Sequence, residues 1–109
     1  MCYTGDVQFK EKPMRYVTIT TWEVLDGADF DLTMTRVREK RLPALKELGA
    51  DRVQVIRTSD RRIAAISEWP DKATRDTATE LVERVRKDVR TEDHSRMTGE
   101  MKGELVAEV

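Results

Sequence analysis

The chain has 109 residues, the size of one ordinary domain. Its 20 Lys and Arg against 21 Asp and Glu leave a formal net charge of −1, without the positive surplus that phosphate binding needs, so no nucleic acid is expected as partner. No apolar run approaches the ~18 residues of a membrane span. One cysteine and one histidine exclude an intrachain disulfide, a Cys-rich zinc site and a multi-His metal centre, so no metal site is expected.

Residues 1–13 carry Gly5, Pro13 and scattered charges without a sustained period, and read as an arm. Position alone gives Cys2, within it, no reason for a reactive thiol. The arm shows no basic start followed by an apolar stretch, so the cytoplasm is the expected compartment. A single domain over 14–109 follows.

Arg15–Val24 is rich in β-branched and aromatic residues and reads as a first strand. Val17, Ile19 and Thr21 share one face, and Tyr16, Thr18, Thr20 and Trp22 the other; both faces are at least half apolar, as in a central strand. Asp26-Gly27 supplies a turn. Apolar residues from Phe30 to Leu48 recur at helical spacing, giving a helix over about 29–48 with Asp29 or Asp31 as cap and Gly49 at a left-handed terminus. Pro43 predicts a kink or break near Arg41–Leu42.

Asp51–Thr58 reads as a second strand and Arg61–Trp69 as a third, joined as a hairpin by Ser59-Asp60. In the third, Ile63, Ala65 and Trp69 share one face, Ala64 and Ile66 the other. Pro70-Asp71 starts a second helix capped by Asp71, with Ala73, Thr77, Ala78, Leu81, Val82, Val85 and Val89 as its buried stripe. Glu80 with Arg84 and Glu83 with Lys87 are favourable i to i+4 pairs on its wet side. Residues 99–109 alternate as a charged edge strand.

Strand–helix–strand occurs twice, matching residues 15–58 with 61–109. Two interleaved right-handed crossovers give a ferredoxin-like βαββαβ fold of the α+β class: a four-stranded antiparallel sheet, both helices on one face, the first and third strands central. The other face lacks helices. It is read as Tyr16, Thr18, Thr20 and Trp22 on the first strand with Ala64, Ile66 and Glu68 on the third. Leaving Trp22 and Ile66 in water costs ~25 cal/mol per Å², which favours a second copy packed sheet against sheet.

These residues resemble the dimeric α/β-barrel proteins, which include the antibiotic-biosynthesis-monooxygenase-like domains. The resemblance spans roughly residues 14–109 and rests on Arg15–Val24, the hairpin, and Ser67-Glu68-Trp69-Pro70-Asp71 leading into the second helix. It implies a homodimer whose sheets close a barrel, with a small-molecule pocket between each sheet and its helices. It also implies a range of activities: cofactor-free oxygenation of aromatic substrates, lactone isomerisation, haem degradation, or none known. Haem-degrading members present a His from the second helix, whereas His94 lies beyond that stripe. Oxygenase-like members often carry an Asn-Trp or His-rich constellation, whereas this sequence has no Asn and no second His.

Each candidate residue carries two readings. His94 suits general-base work by its ordinary pKa, but its polar neighbours fit a solvated loop residue. Trp22 and Trp69 either stack on a flat substrate or anchor the core or an interface. Tyr16, Thr18 and Thr20 form a row of hydroxyls able to orient a ligand, and threonine is also simply a good strand former. Glu68 in an apolar pocket would suit proton abstraction, although Glu68 and Trp69 cannot face one pocket without a bulge. Arg57, Arg61 and Arg62 flank the hairpin turn as an anion mouth or as a solubilising cluster.

The basic cluster Arg36, Arg38, Lys40 and Arg41 invites comparison with RNA-recognition domains, but the third strand lacks their glycine and aromatic pair. Five glycines in no phosphate-loop spacing exclude the usual nucleotide cradles. The expectation is a cofactor-free homodimer that binds a small organic molecule. Glu68 and His94 are the candidate catalytic residues. Tyr16, Thr18, Thr20, Trp22, Ile66 and Trp69 are the candidate binding residues. A non-enzymatic dimerisation or ligand-sensing module is the alternative.

Overall fold

A computed structural model of the protein describes residues 14–109. The expectations for the 1–13 arm and for Cys2 lie outside the described residues. The elements are β1 (Tyr16–Val24), α1 (Phe30–Arg36), a π-helical segment (Val37–Arg41), α2 (Leu42–Glu47), β2 (Arg52–Ser59), β3 (Arg62–Trp69), α3 (Lys72–Thr77), α4 (Thr79–Thr91) and β4 (Ser95–Glu104). The four strands form one antiparallel sheet in the order β2-β3-β1-β4, with β1 and β3 central as the two-faced apolar strands predict. No helix among the described residues is long and apolar enough to cross a membrane.

The first helix begins where Asp29 accepts a hydrogen bond from the Leu32 amide at 3.0 Å. The discontinuity expected from Pro43 is a widened turn. Over Val37–Arg41 the backbone bonds reach back five residues, so the Leu42 amide donates to the Val37 carbonyl. This relieves the proline ring of its clash with the carbonyl four residues earlier and lets the helix resume with Pro43 in its first turn. Gly49 then turns the chain at φ +121° into β2.

The second helix starts on Asp71, whose carboxylate accepts from the Thr74 amide at 2.7 Å. It is broken at Ala78, which separates α3 from α4. Thr77 and Thr79 each bond back to the carbonyl four residues earlier, which competes with regular helix geometry at this point. The break resets the helical phase and corrects the expected stripe. Ala78 and Val82 are buried and Val85 and Val89 half-buried, but Ala73, Thr77 and Leu81 are exposed; Arg75 and Arg86 turn inward instead. The expected Glu83 to Lys87 pair is also replaced, because Glu83 binds Arg86 at 3.0 Å.

β4 runs over Ser95–Glu104, beginning earlier and ending sooner than the expected 99–109. Its pairing with β1 skips Thr98: Trp22 opposes Met97 while Thr21 opposes Gly99. The extra residue is a bulge, fixed by a hydrogen bond between the Thr98 and Thr21 hydroxyls at 2.8 Å.

The register also corrects which face of β1 is covered. Tyr16, Thr18, Thr20 and Trp22 oppose Trp69, Ser67, Ala65 and Ile63, and all four β1 residues are buried beneath the helices. The open face carries Val17, Ile19 and Thr21 of β1, Ala64, Ile66 and Glu68 of β3, Ile56 of β2 and Met101 of β4. The helices settle the question, because their apolar stripe meets the side of the sheet where both indoles find hydroxyl partners. At the closed end, Tyr16, Ala50, Trp69, Ala78 and Val82 form a core cluster with Leu45, Leu48 and Val53 against it.

Candidate functional site

The sheet and helices do not close completely. Between them lies a cavity of about 70 Å³, room for one small organic molecule or for several waters at ~10–15 Å³ each. Its floor is Thr18, Thr20 and Trp22 of β1 with Ile63, Ser67 and Trp69 of β3. Its roof is Val37, Arg41 and Leu45 from the first helix, and Arg75, Val82 and Arg86 from the second.

Alternation along two central strands places the floor, since every second residue of β1 and β3 faces the helices. The floor is internally hydrogen-bonded. Trp69 Nε1 donates to Ser67 Oγ at 3.0 Å, and Trp22 Nε1 donates to Thr20 Oγ1 at 2.8 Å. The Thr18 and Ser67 hydroxyls share a hydrogen bond of 2.5 Å. Each of the two large indoles is thereby tied to a hydroxyl two residues earlier on its own strand, with its polar N–H group satisfied.

The three arginines of the roof differ in their partners. Arg41 donates from Nε and Nη2 to the two carboxylate oxygens of Asp93, at 2.8 and 2.9 Å, and from Nη2 to Glu92 at 2.8 Å. The Asp93 bond holds the Arg41 guanidinium well above its ordinary pKa. Arg86 reaches Glu83 at 3.0 Å and Glu100 at 2.7 Å, and its hydrogen bond keeps the Glu100 carboxyl below the usual carboxylate range.

Arg75 is 5% exposed and has no carboxylate partner among the described residues. It donates to Thr79 Oγ1 at 3.2 Å and lies 5.6 Å from the Trp69 ring, while its Nε is buried without a hydrogen-bond partner. Burial pushes its guanidinium below the ordinary value.

Thr18, Thr20, Trp22 and Trp69, four of the candidate binding residues, line this cavity together. Tyr16 sits beyond it in the core cluster. Ile66 lies on the opposite, open face with Glu68, so the two neighbours Glu68 and Trp69 fall on different sides of the sheet. Glu68 is held by Arg15 at 3.0 Å and faces Arg52 at 3.9 Å. His94 is exposed, in the turn entering β4, at φ +50°. Neither candidate catalytic residue lines the cavity.

The hairpin arginines tie down backbone. Arg57 stacks 4.0 Å from Phe30 and bonds the Ser59 and Asp60 carbonyls. Arg61 caps the Val24, Leu25 and Ala28 carbonyls, and Arg62 faces Glu23. Sequence reasoning missed Arg75, Arg86 and Ser67 as cavity residues. No group of three His, Cys, Asp or Glu among the described residues could hold a metal ion.

No family model and no curated protein matches the chain. Solved structures share its architecture. A dimeric ferredoxin-like protein from an uncultured marine organism has a TM-score of 0.64 at 12% identity, covering 93% of this chain and 96% of that one. A protein from Pseudomonas aeruginosa has a TM-score of 0.60 at 15% identity, covering 91% and 99%. SnoaB, a cofactor-independent oxygenase from Streptomyces nogalater, has a TM-score of 0.54 at 16% identity, covering 88% and 95%. At such identities the likeness speaks to fold alone, and the chain has the ferredoxin-like α+β fold of these proteins.

Proposed function

We propose that the protein is a cytoplasmic homodimer, packed open face to open face, in which each subunit binds a small organic molecule between sheet and helices. The carrying observation is the cavity itself: two fixed indoles, a row of strand hydroxyls and an inward arginine converge on one space, as in small-molecule sites.

The open face supports the dimer. Ile56 is 51% and Met101 66% exposed there, beside Ile19 and Ile66. With four strands of about eight residues, ~4.8 Å apart and rising ~3.3 Å per residue, the face spans about 500 Å². Two such faces bury about 1,000 Å², the lower bound for a specific interface. A dimeric relative in fold points the same way.

Ile66→Glu should convert a dimer to monomers in sedimentation at micromolar concentration while the circular dichroism spectrum is retained. A parent protein that sediments as a monomer would refute the dimer. Co-purifying small molecules, released by denaturation and weighed by mass spectrometry, test the cavity.

A second reading, cofactor-independent oxygenation or isomerisation, draws support from the fold shared with SnoaB. On the sequence reading turnover falls to Glu68 or His94, which lie outside the cavity, and turnover of a screened quinol or lactone that survives both Glu68→Ala and His94→Ala would sink that assignment.

A further inference from the structure

The cavity has a marked excess of hydrogen-bond donors. Thr18 and Ser67 share one bond, so whichever hydroxyl donates, the other proton is left over. Thr20 Oγ1 accepts from Trp22, and its own proton has no acceptor among the described side chains. Arg75 adds a buried Nε–H without a partner. No carboxylate lines the space among the described residues, and the charges of Arg41 and Arg86 are already met by acids outside it. A buried cation with leftover donors and no acid is costly unless something negative completes it.

We propose that the cavity takes a small organic anion, a compact carboxylate with an apolar body, whose charged group is bound by Arg75 and the hydroxyls of Thr18, Thr20 and Ser67. The apolar body lies against Val37, Val82 and the two indoles. This rests on the cavity being a small-molecule site and specifies the ligand's charge. The lowered proton affinity of buried Arg75 agrees, since an anion beside it offsets the desolvation.

Benzoate and its neutral counterpart benzyl alcohol separate the two claims. Both indoles line the cavity and are the chain's two tryptophans, so binding is read directly by tryptophan fluorescence. Benzoate should bind saturably and at least tenfold more tightly than benzyl alcohol. Arg75→Met should lose at least tenfold for benzoate and less than threefold for benzyl alcohol, with a thermal midpoint no lower than the parent's. Arg75→Lys, which keeps the charge, should retain the preference for the anion.

Equal affinity of the parent for both probes would overturn the anion proposal and leave the small-molecule site standing. Benzoate binding unchanged in Arg75→Met would also overturn it. Failure of both probes to bind at millimolar concentration would overturn the proposal together with the reading of the cavity.

Discussion

Asp93 has 0% of its surface exposed and holds Arg41, itself 9% exposed, through bonds of 2.8 and 2.9 Å, joining the entry of β4 to the π-helical segment. Asp93→Ala removes both bonds and leaves a guanidinium whose remaining acids, Glu92 at 2.8 Å and Asp88 at 4.0 Å, are 62% and 51% exposed and so compensate little. Breaking one side of a buried pair costs about 3–5 kcal/mol, a large part of the ~5–15 kcal/mol that holds a domain together. In urea, at an m-value of ~1.5 kcal/mol per molar, the midpoint should fall by about 2–3 M. The measurement must be made at fixed protein concentration, because subunit association would shift the midpoint as well. Replacing both partners, Arg41→Met with Asp93→Leu, removes the charges together and should recover at least ~2 kcal/mol of the single-variant loss. An Asp93→Ala unfolding free energy within about 1 kcal/mol of the parent's, or a double variant no more stable than the single, would refute this account.

Two further outcomes follow from local geometry. Gly49→Ala should lower the thermal midpoint by several degrees, from about 1–2 kcal/mol, because φ is +121° and the new Cβ would sit 3.1 Å from Thr74 Cγ2; an unchanged midpoint would contradict it. The Glu100 carboxyl is depressed by its bond to Arg86, so its contribution is present above the unfolded carboxylate value and is lost as pH falls through the folded one. Glu100→Gln should therefore lose less stability than the parent between pH 6 and pH 3 in thermal melts, and parallel losses in the two proteins would count against the pairing.

The order of elements, the central position of β1 and β3, the cap at Asp71 and, as one of two candidates, the cap at Asp29 were legible because each rests on local chemistry. Alternation, turn residues and short-range hydrogen bonds need only neighbours in sequence. The covered face of β1 was not legible. Both faces of that strand are half apolar, and what separates them is tertiary: the cross-strand bond between Thr18 and Ser67 and the helices that pack over that side. Arg75 and Arg86 were missed because the apolar spacing through Ala73, Thr77 and Leu81 is continuous in sequence, whereas the helix is interrupted at Ala78. A cluster of threonines at 74, 77 and 79 was the available signal, since β-branched residues that bond back to the preceding turn weaken a helix there. Buried arginines also run against the ordinary expectation that charges face water, and only the partners of Arg41 and the cavity beside Arg75 account for them.

Removing a residue from the middle of a strand ordinarily swaps everything beyond it from one side of a sheet to the other. Thr98 is surplus to the pairing, with Met97 and Gly99 already opposite consecutive residues of β1. A version of the gene lacking that codon would keep Glu100 turned toward Arg86 and Met101 turned away, losing a single hydroxyl contact and some local twist. The strand thus has, at Thr98, a position whose removal leaves the inward and outward sides of every other residue as they are.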